Sequence, residues 1–494
     1  MMRHSLLLIV LQTALMLLAA CTPSVPDNAR EEQSQPHIFP DYADVTIPAN
    51  IAPLRFALDD RKAEAICEMM IEGTNAEPWA VEAEDGKFFF DQDRWHDFMA
   101  TAREHKVLVN VYQKRDGQWV KYKPFYWDVA SDDIDSHLAY RLLPPGYEPW
   151  LELGIYQRDL TSYDETPIME NSHTEHNCMN CHSFCMQRPD KMMLHMRQQY
   201  GGTYLLSDGE VEHINGKVND RITNLVYPSW HPSGDFIAFS SNDIHQIFHM
   251  HDRNRIEVLD ASSDVVVYDV KRHEVVTCPQ LMADDRFETF PTFSPDGRTL
   301  FFCSADTVAG LPAAYREVKY SLCALSFDPA SRTFGAQVDT LYNARTEGRS
   351  AKFPRVSPDG RFLAFTLSDY GNFSIWHKDA DIYMVDLKSG TCSPLDNVNS
   401  DDVDSYHSWS SNSRWMVLSS RRDDGLYTRP YFTYVGPDGH ATKPFLLPQA
   451  DPDFYLAFMK SYNIPELVKG PVPVGPKEFT EAAHTDGTPV RLAE

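Results

Sequence analysis

Four stretches of this chain repeat one another without gaps, and repetition of that kind limits the fold more than any other feature of the sequence. They begin at Tyr227, Phe290, Phe353 and Tyr406, and the second, Phe290-Pro291-Thr292-Phe293-Ser294-Pro295-Asp296-Gly297 followed by Leu300-Phe301-Phe302, shows the pattern. An aromatic residue leads into a tight Ser-Pro-Asp-Gly turn, after which apolar residues return, as a β-hairpin requires. The Asp and Gly are explained by the turn and need no catalytic role. The fourth copy departs from the rest, with His407 in place of proline and Ser411-Asn412-Ser413 in place of Pro-Asp-Gly. Further strands follow at least three units, at 265–270, 320–327 and 381–386, so each unit reads as one four-stranded blade.

These repeats resemble the WD-like propeller repeats of the TolB family, over roughly residues 220–447. The resemblance implies a β-propeller. The first three units start 63 residues apart and the last follows after 53, against about 40–45 for a usual blade, which leaves long loops for binding a partner. Gly202 to Leu206 and Tyr431 to Val435 are read as strands that help complete a ring of five or six blades, four of them recognisable. The propeller is assigned to 201–450 and the proline-rich remainder, 451–494, to a surface-wrapping extension.

The N-terminus decides how the cysteines are read. Arg3 and His4 precede an apolar run from Leu6 to Leu18, the length of a signal-peptide core rather than of a membrane span. Leu18-Ala19-Ala20-Cys21 resembles the lipobox of bacterial lipoproteins, which implies a signal peptide over 1–20 and diacylglycerol on Cys21. An ordinary signal-peptidase site with Cys21 incidental is the alternative. Residues 21–42 are polar and read as a tether. The expected location is the cell envelope, with the chain lipid-anchored to the outer membrane and facing the periplasm. A formal net charge of −26 excludes nucleic acid as a partner on electrostatic grounds.

Residues 43–160 form short alternating runs broken by Asp85-Gly86 and Asp116-Gly117, which predicts a separate β-sandwich of immunoglobulin-like type with a helix near Asp93 to Glu104 inserted. The fold class is therefore all-β, a sandwich followed by a propeller. Tyr126 and Trp127 are read as core aromatics.

Chemistry concentrates at 161–200. Cys178, Cys181 and His182 form C-x-x-C-H, the attachment signature of c-type cytochromes. Two thiols at that spacing can add to the haem vinyl groups while the adjacent histidine takes the iron. On this reading Cys178 and Cys181 carry haem c, His182 is the proximal ligand, and Met196 or His195, on an expected helix with Met192 and Met193, supplies the distal one. Zinc is an alternative, with Cys178, Cys181, Cys185, His173, His176 and His182 as the ligand pool. A plain thiol pair is another; a thioredoxin-like redox pair lacks the surrounding βαβ pattern. His245, His249 and His251 form a further cluster in an expected loop. The wider stretch from Asn177 to Phe184, with the propeller behind it, is similar to a group of Bacteroidetes-type lipoproteins labelled TolB-like or cytochrome c related.

The expected function is thus a membrane-anchored electron carrier that docks a redox or other protein partner through propeller loops. A non-redox binding or assembly scaffold, with a structural or zinc-loaded cysteine cluster, is the alternative. Neither G-x-S-x-G nor H-E-x-x-H occurs, so serine or zinc peptidase chemistry lacks its parts, and an enzyme is the lesser expectation.

Overall fold

The computed structural model describes residues 23–145, 152–252 and 254–493; Cys21 and the signal segment lie outside them. Two compact units divide the described residues, one comprising those up to Ala49 with Pro53–Ser131 and Pro448–Phe454, the other Asn50–Ala52, Asp132–Leu447 and the residues from Tyr455 onward.

The first unit is a two-layer β structure. A seven-stranded sheet centred on Lys106–Arg115 faces a three-stranded sheet of Ile38–Phe39, Phe56–Leu58 and Lys87–Phe88. Lys106–Arg115 and Gln118–Lys121 pair as a hairpin across Asp116 and Gly117, both at positive φ. Phe56, Phe88, Phe90, Phe125, Trp95 and Trp127 pack as a continuous aromatic core. The Trp127 indole also donates to the Tyr42 carbonyl at 2.8 Å, which satisfies its only polar atom. The helix spans Gln92–Ala102 and is capped by the Asp91 carboxylate, which accepts from the Arg94 N–H at 2.9 Å. Strands divide seven to three, and two outer pairings run parallel; an immunoglobulin-like domain divides its strands more evenly.

The second unit is a six-bladed propeller, within the expected range, but its boundary falls at 131/132 rather than near 200. Blade 1 takes His137–Leu143, Gly154–Asp159 and Glu165–Glu170 from one part of the chain and its innermost strand, Ser461–Val468, from another. Blade 2 begins with Met179–Phe184, and blades 3 to 6 begin with Val226–Trp230, Arg286–Phe293, Ser350–Val356 and Asp404–Trp409. These six inner strands neighbour one another around a closed ring. The segment expected to stand apart from the propeller at 161–200 is therefore built into blades 1 and 2, because its apolar residues alternate with a period of two and pair as sheet. The expected helix bearing Met192 to Met196 is the second strand of blade 2, Lys191–Met196.

One irregularity recurs in the inner strands and fixes the axis. Tyr227, Phe290, Phe353, Tyr406 and Ile464 all adopt positive φ, between 42° and 52°, and in blades 3 to 6 the ladder slips one residue at each aromatic. Each bulge turns its side chain inward. The aromatic rings then meet in turn around the axis, Tyr227 on Phe290 and Phe290 on Phe353 edge to face at centroid distances of 4.5 Å, and Phe353 stacked on Tyr406 at 4.3 Å.

The turns that follow are held as their residue types dictate. In blade 4 the Asp296 carboxylate accepts from Ser294 Oγ and the Arg298 N–H, with Gly297 at φ 70°. Blade 6 keeps this turn despite its altered sequence, since Asn412 Oδ1 accepts from Ser410 Oγ and the Arg414 N–H, and Ser413 takes the left-handed position at φ 64°. After Val468 the tail adds Thr488–Pro489 and Arg491–Leu492 as parallel outer strands on blades 2 and 3.

Candidate functional site

Superposing the blade pattern on the C-x-x-C-H segment reassigns it. The ladder of blade 2 slips between Asn180 and His182, where blades 3 to 6 slip at their axial aromatics, so Cys181-His182-Ser183-Phe184 is a further copy of the repeat and aligns with Tyr406-His407-Ser408-Trp409. Ile464-Pro465-Glu466-Leu467 is the sixth copy. His182 thereby occupies the place of Pro228, Pro291, Pro354, His407 and Pro465.

His182 and His407 behave alike in the structure. They are 2 % and 3 % exposed, and burial pushes their imidazoles down to about 3 and about 4. The ring of His182 lies against the backbone carbonyls of Ile464 and Ala139 in blade 1, and that of His407 against the carbonyl of Ala364 in blade 5. Ala139 and Ala364 are equivalent, each paired with the residue two places after the axial position of its own inner strand, Glu466 and Arg355. Neither ring gains a well-directed hydrogen bond at either nitrogen. Both are packed between neighbouring blades, and a haem iron could reach His182 only if blades 1 and 2 were separated.

The other expected ligands are divided between the two faces of blade 2. Cys178 and Met196 belong to the apolar cluster between blades 1 and 2, with Met192 and Leu194. His195 alternates to the opposite face of the blade, where its Nδ1 lies 3.4 Å from Thr203 Oγ1 and burial pushes it down to about 3. Cys185 is packed with Met193, Trp230 and Ile237 between blades 2 and 3, and its thiol is raised by burial. His173 and His176 are exposed on the preceding turn. His182 thus presents no open face to a haem iron, and among the described residues no group of three or more His, Cys, Asp or Glu is arranged for a metal.

His245 lies on a strand, not a loop. The second and third strands of blade 3, Phe236–Phe248 and Ile256–Asp269, extend as a long hairpin arm that bears His245, His249 and His251 near its end. A buried polar network ties its base to blades 4 and 5. The Asp260 carboxylate accepts from Asn242, Tyr320 and Asn372 at 2.9, 2.8 and 2.6 Å, and burial raises it to about 6. Glu257 pairs with His377 at 2.8 Å and accepts from Tyr370 at 2.6 Å. Nearby Lys352 donates to Ser368 and to the Tyr370 carbonyl, and burial pushes it down to about 7. The partners of Asp260 and Glu257 come from the fold itself, so the network reads as a clamp on the arm.

The site open to a ligand lies on the propeller axis, where the inner strands end. A cavity of about 110 Å³ is lined by all six blades. Each gives it one side chain from the same place in the repeat, two residues after the axial position: Ser183, Ser229, Thr292, Arg355, Ser408 and Glu466. Apolar residues follow each of them, among them Phe184, Trp230, Phe293 and Trp409. The indoles brace adjoining blades, Trp230 donating to the Ser183 carbonyl at 3.2 Å and Trp409 to the Arg355 carbonyl at 3.1 Å. Glu466 is buried, accepts from the Phe184 N–H at 3.0 Å, and is raised to about 7 by burial against the opposing pull of Arg355. In two of the lining residues one polar atom, Ser408 Oγ and Gln187 Oε1, is wholly buried and makes no hydrogen bond. Sequence reasoning assigned none of these residues to a site, although each sits at a fixed place in the repeat.

Fold and site together define a six-bladed β-propeller with an N-terminal β-sandwich and an axial pocket. No family model and no curated protein matches the chain. It is similar to solved structures at a slight level: a periplasmic gluconolactonase from Pseudomonas aeruginosa (13 % identity over 81 % of this chain and 99 % of that one, TM-score 0.34), an oligogalacturonate lyase from Vibrio parahaemolyticus (10 %, 83 % and 100 %, 0.33), and a DUF4784 family protein from Bacteroides caccae (8 %, 74 % and 96 %, 0.31). At such scores no activity is transferred from them.

Proposed function

We propose that this chain is a non-redox binding protein of the cell envelope, held to a membrane by a lipid on Cys21, with its ligand site in the axial cavity of the propeller. The observation that carries the reading is the convergence on a single cavity of one residue from the same repeat position of every blade. Envelope placement is supported by the signal-like run and the lipobox-like Leu18-Ala19-Ala20-Cys21. The electron-carrier reading rests on the spacing of Cys178, Cys181 and His182 alone, and the packing of His182 opposes it.

Purification from cells that carry a haem-attachment system tests the choice. The expected product is colourless, loses no haem to acidic solvent, and has both Cys178 and Cys181 open to alkylation once denatured. A chain that retains haem covalently after denaturation restores the electron-carrier reading.

A further inference from the structure

The arm of blade 3 carries a strand edge that the fold holds rigid and leaves unpaired. We propose that two copies of this chain associate through it, residues 243–249 of one copy pairing antiparallel with the same residues of the other.

The pairing within the arm sets which backbone groups point outward. Strand Phe236–Phe248 matches Ile256–Asp269 with His245 opposite Leu259 and Ile247 opposite Glu257, and the His249 N–H donates to the Arg255 carbonyl at 2.8 Å. Odd-numbered residues of the first strand thus bond inward to the second, and even-numbered ones turn their N–H and C=O to the other side. At Asn242 that side is closed by a side chain: its N–H donates to Asn224 Oδ1 at 3.3 Å and its carbonyl accepts from Asn224 Nδ2 at 3.1 Å. Beyond it Ile244, Gln246 and Phe248 have no such partner among the described residues. The edge faces solvent, since Glu257, Val258, Leu259 and Asp260 of the second strand are buried whereas Asp243, His245, Gln246 and Phe248 of the first are exposed. The clamp on Glu257 and Asp260 holds the arm in place, so pairing loses little further conformational freedom.

Edges of this kind are normally blunted, and those of the blades are. The tail strands cover blades 2 and 3, the outer strands of blades 1 and 5 contain Pro167 and Pro394, that of blade 4 bears Asp339, and that of blade 6 has two residues. The run Ile244-His245-Gln246-Ile247-Phe248 contains no Lys, Arg, Asp, Glu, Pro or Gly, in a chain of net charge −26. Its order favours a second copy over a foreign strand. With Gln246 facing its own counterpart across a twofold axis, Ile244 falls opposite Phe248 and the acidic Asp243 opposite the basic His249, each twice. Both are favourable cross-strand pairs, and the outward groups of residues 244, 246 and 248 then match as about six backbone hydrogen bonds.

Cysteine cross-linking in cells and sedimentation of the purified full chain test the proposal. The two copies of residue 246 would lie with Cα atoms about 5.5 Å apart, within disulfide reach, and the two copies of residue 248 about 13 Å apart along the strands. Under mild oxidation Gln246→Cys should cross-link to dimers, Phe248→Cys alone should not, and Ile244→Cys mixed with Phe248→Cys should; the unsubstituted chain, whose Cys392 is exposed, is the control. Gln246→Lys sets two like charges face to face, and Gln246→Pro removes an outward N–H that the arm itself does not use. Each should raise the dimer dissociation constant about tenfold or more with an unchanged melting temperature. An unsubstituted chain that sediments as a monomer throughout the micromolar range overturns the proposal, as do dimers that both substitutions leave undiminished. Cross-linking of Phe248→Cys alone as strong as that of Gln246→Cys overturns the twofold register. Cross-linking of Gln246→Cys to a different polypeptide, with the chain itself monomeric, gives the edge to a foreign strand and overturns self-association likewise.

Discussion

Replacing His182 by proline separates a blade residue from a metal ligand, because four of the six repeats carry proline at this position. At neutral pH three effects nearly cancel. Removing a buried imidazole with no well-directed partner gains about 1–3 kcal/mol, and restricting the unfolded chain gains about 0.4–1 kcal/mol. Losing roughly three ring atoms from a packed layer costs about 1–3 kcal/mol. The variant should therefore stay within about 1.5 kcal/mol of the parent at pH 7. Acid then divides them. The folded-state imidazole lies near 3 against 6.5 unfolded, so between those values the unfolded chain binds a proton that the folded one refuses. The parent loses stability as pH falls below 6.5, by about 1.4 kcal/mol per unit. From pH 7 to pH 5 that amounts to about 2 kcal/mol, a loss that His182→Pro escapes. Urea unfolding of both proteins at the two pH values measures the difference, with His407→Pro as a parallel case. A His182→Pro chain that does not fold while His407→Pro does, or a pH 5 advantage absent from both, would refute the equivalence of the two positions.

Three further outcomes follow from the fold. Ending the chain at Lys460 removes the inner strand of blade 1 and should replace cooperative melting by aggregation or rapid proteolysis, whereas a soluble, sharply melting product would show that the ring does not depend on this strand. Trp230→Phe and Trp409→Phe each leave a carbonyl of the adjoining blade unpaired and should cost about 1–2 kcal/mol apiece in urea unfolding; the two losses should add, since the pairs share no contact. Cys21→Ala should yield a chain that takes up no labelled palmitate, and labelling of that variant would remove the lipobox reading.

Four blades could be read from the sequence because their turns use residues with a single strong reason to be there: Asp296 accepting from two groups and Gly297 in the left-handed region. Blade 2 hid because its strand leads into Cys185-Met186-Gln187, where Met186 and Gln187 take positive φ without glycine, so the turn carries no recognisable signal. Its inner strand, together with the residue before it, also carries two cysteines and a histidine at a spacing that haem attachment uses, and local spacing cannot show that the histidine has a counterpart at 407. Met192, Met193 and Met196 suggested a helical stripe, yet Met192, Leu194 and Met196 share one face with a period of two, the strand pattern that the pairing confirms. The axial cavity was unreadable for another reason: Ser183, Ser229, Thr292, Arg355, Ser408 and Glu466 are ordinary residues until six strands place them around one point.

The way blade 1 is assembled bears on when this protein can become folded at all. Strand His137–Leu143 lies early in the chain, but its inner partner is Ser461–Val468, and 322 residues separate Arg141 from Asn463, which are hydrogen-bonded through their side chains. Through the whole emergence of blades 2 to 6 the first strand keeps an unpaired edge, the kind of surface that recruits other chains. A chain made from its N-terminus outward therefore carries an open, adhesive seam until nearly its last segment arrives. Folding to the closed ring is a single late event, and any factor that shields the seam in the interval acts on the yield of the protein rather than on its final stability.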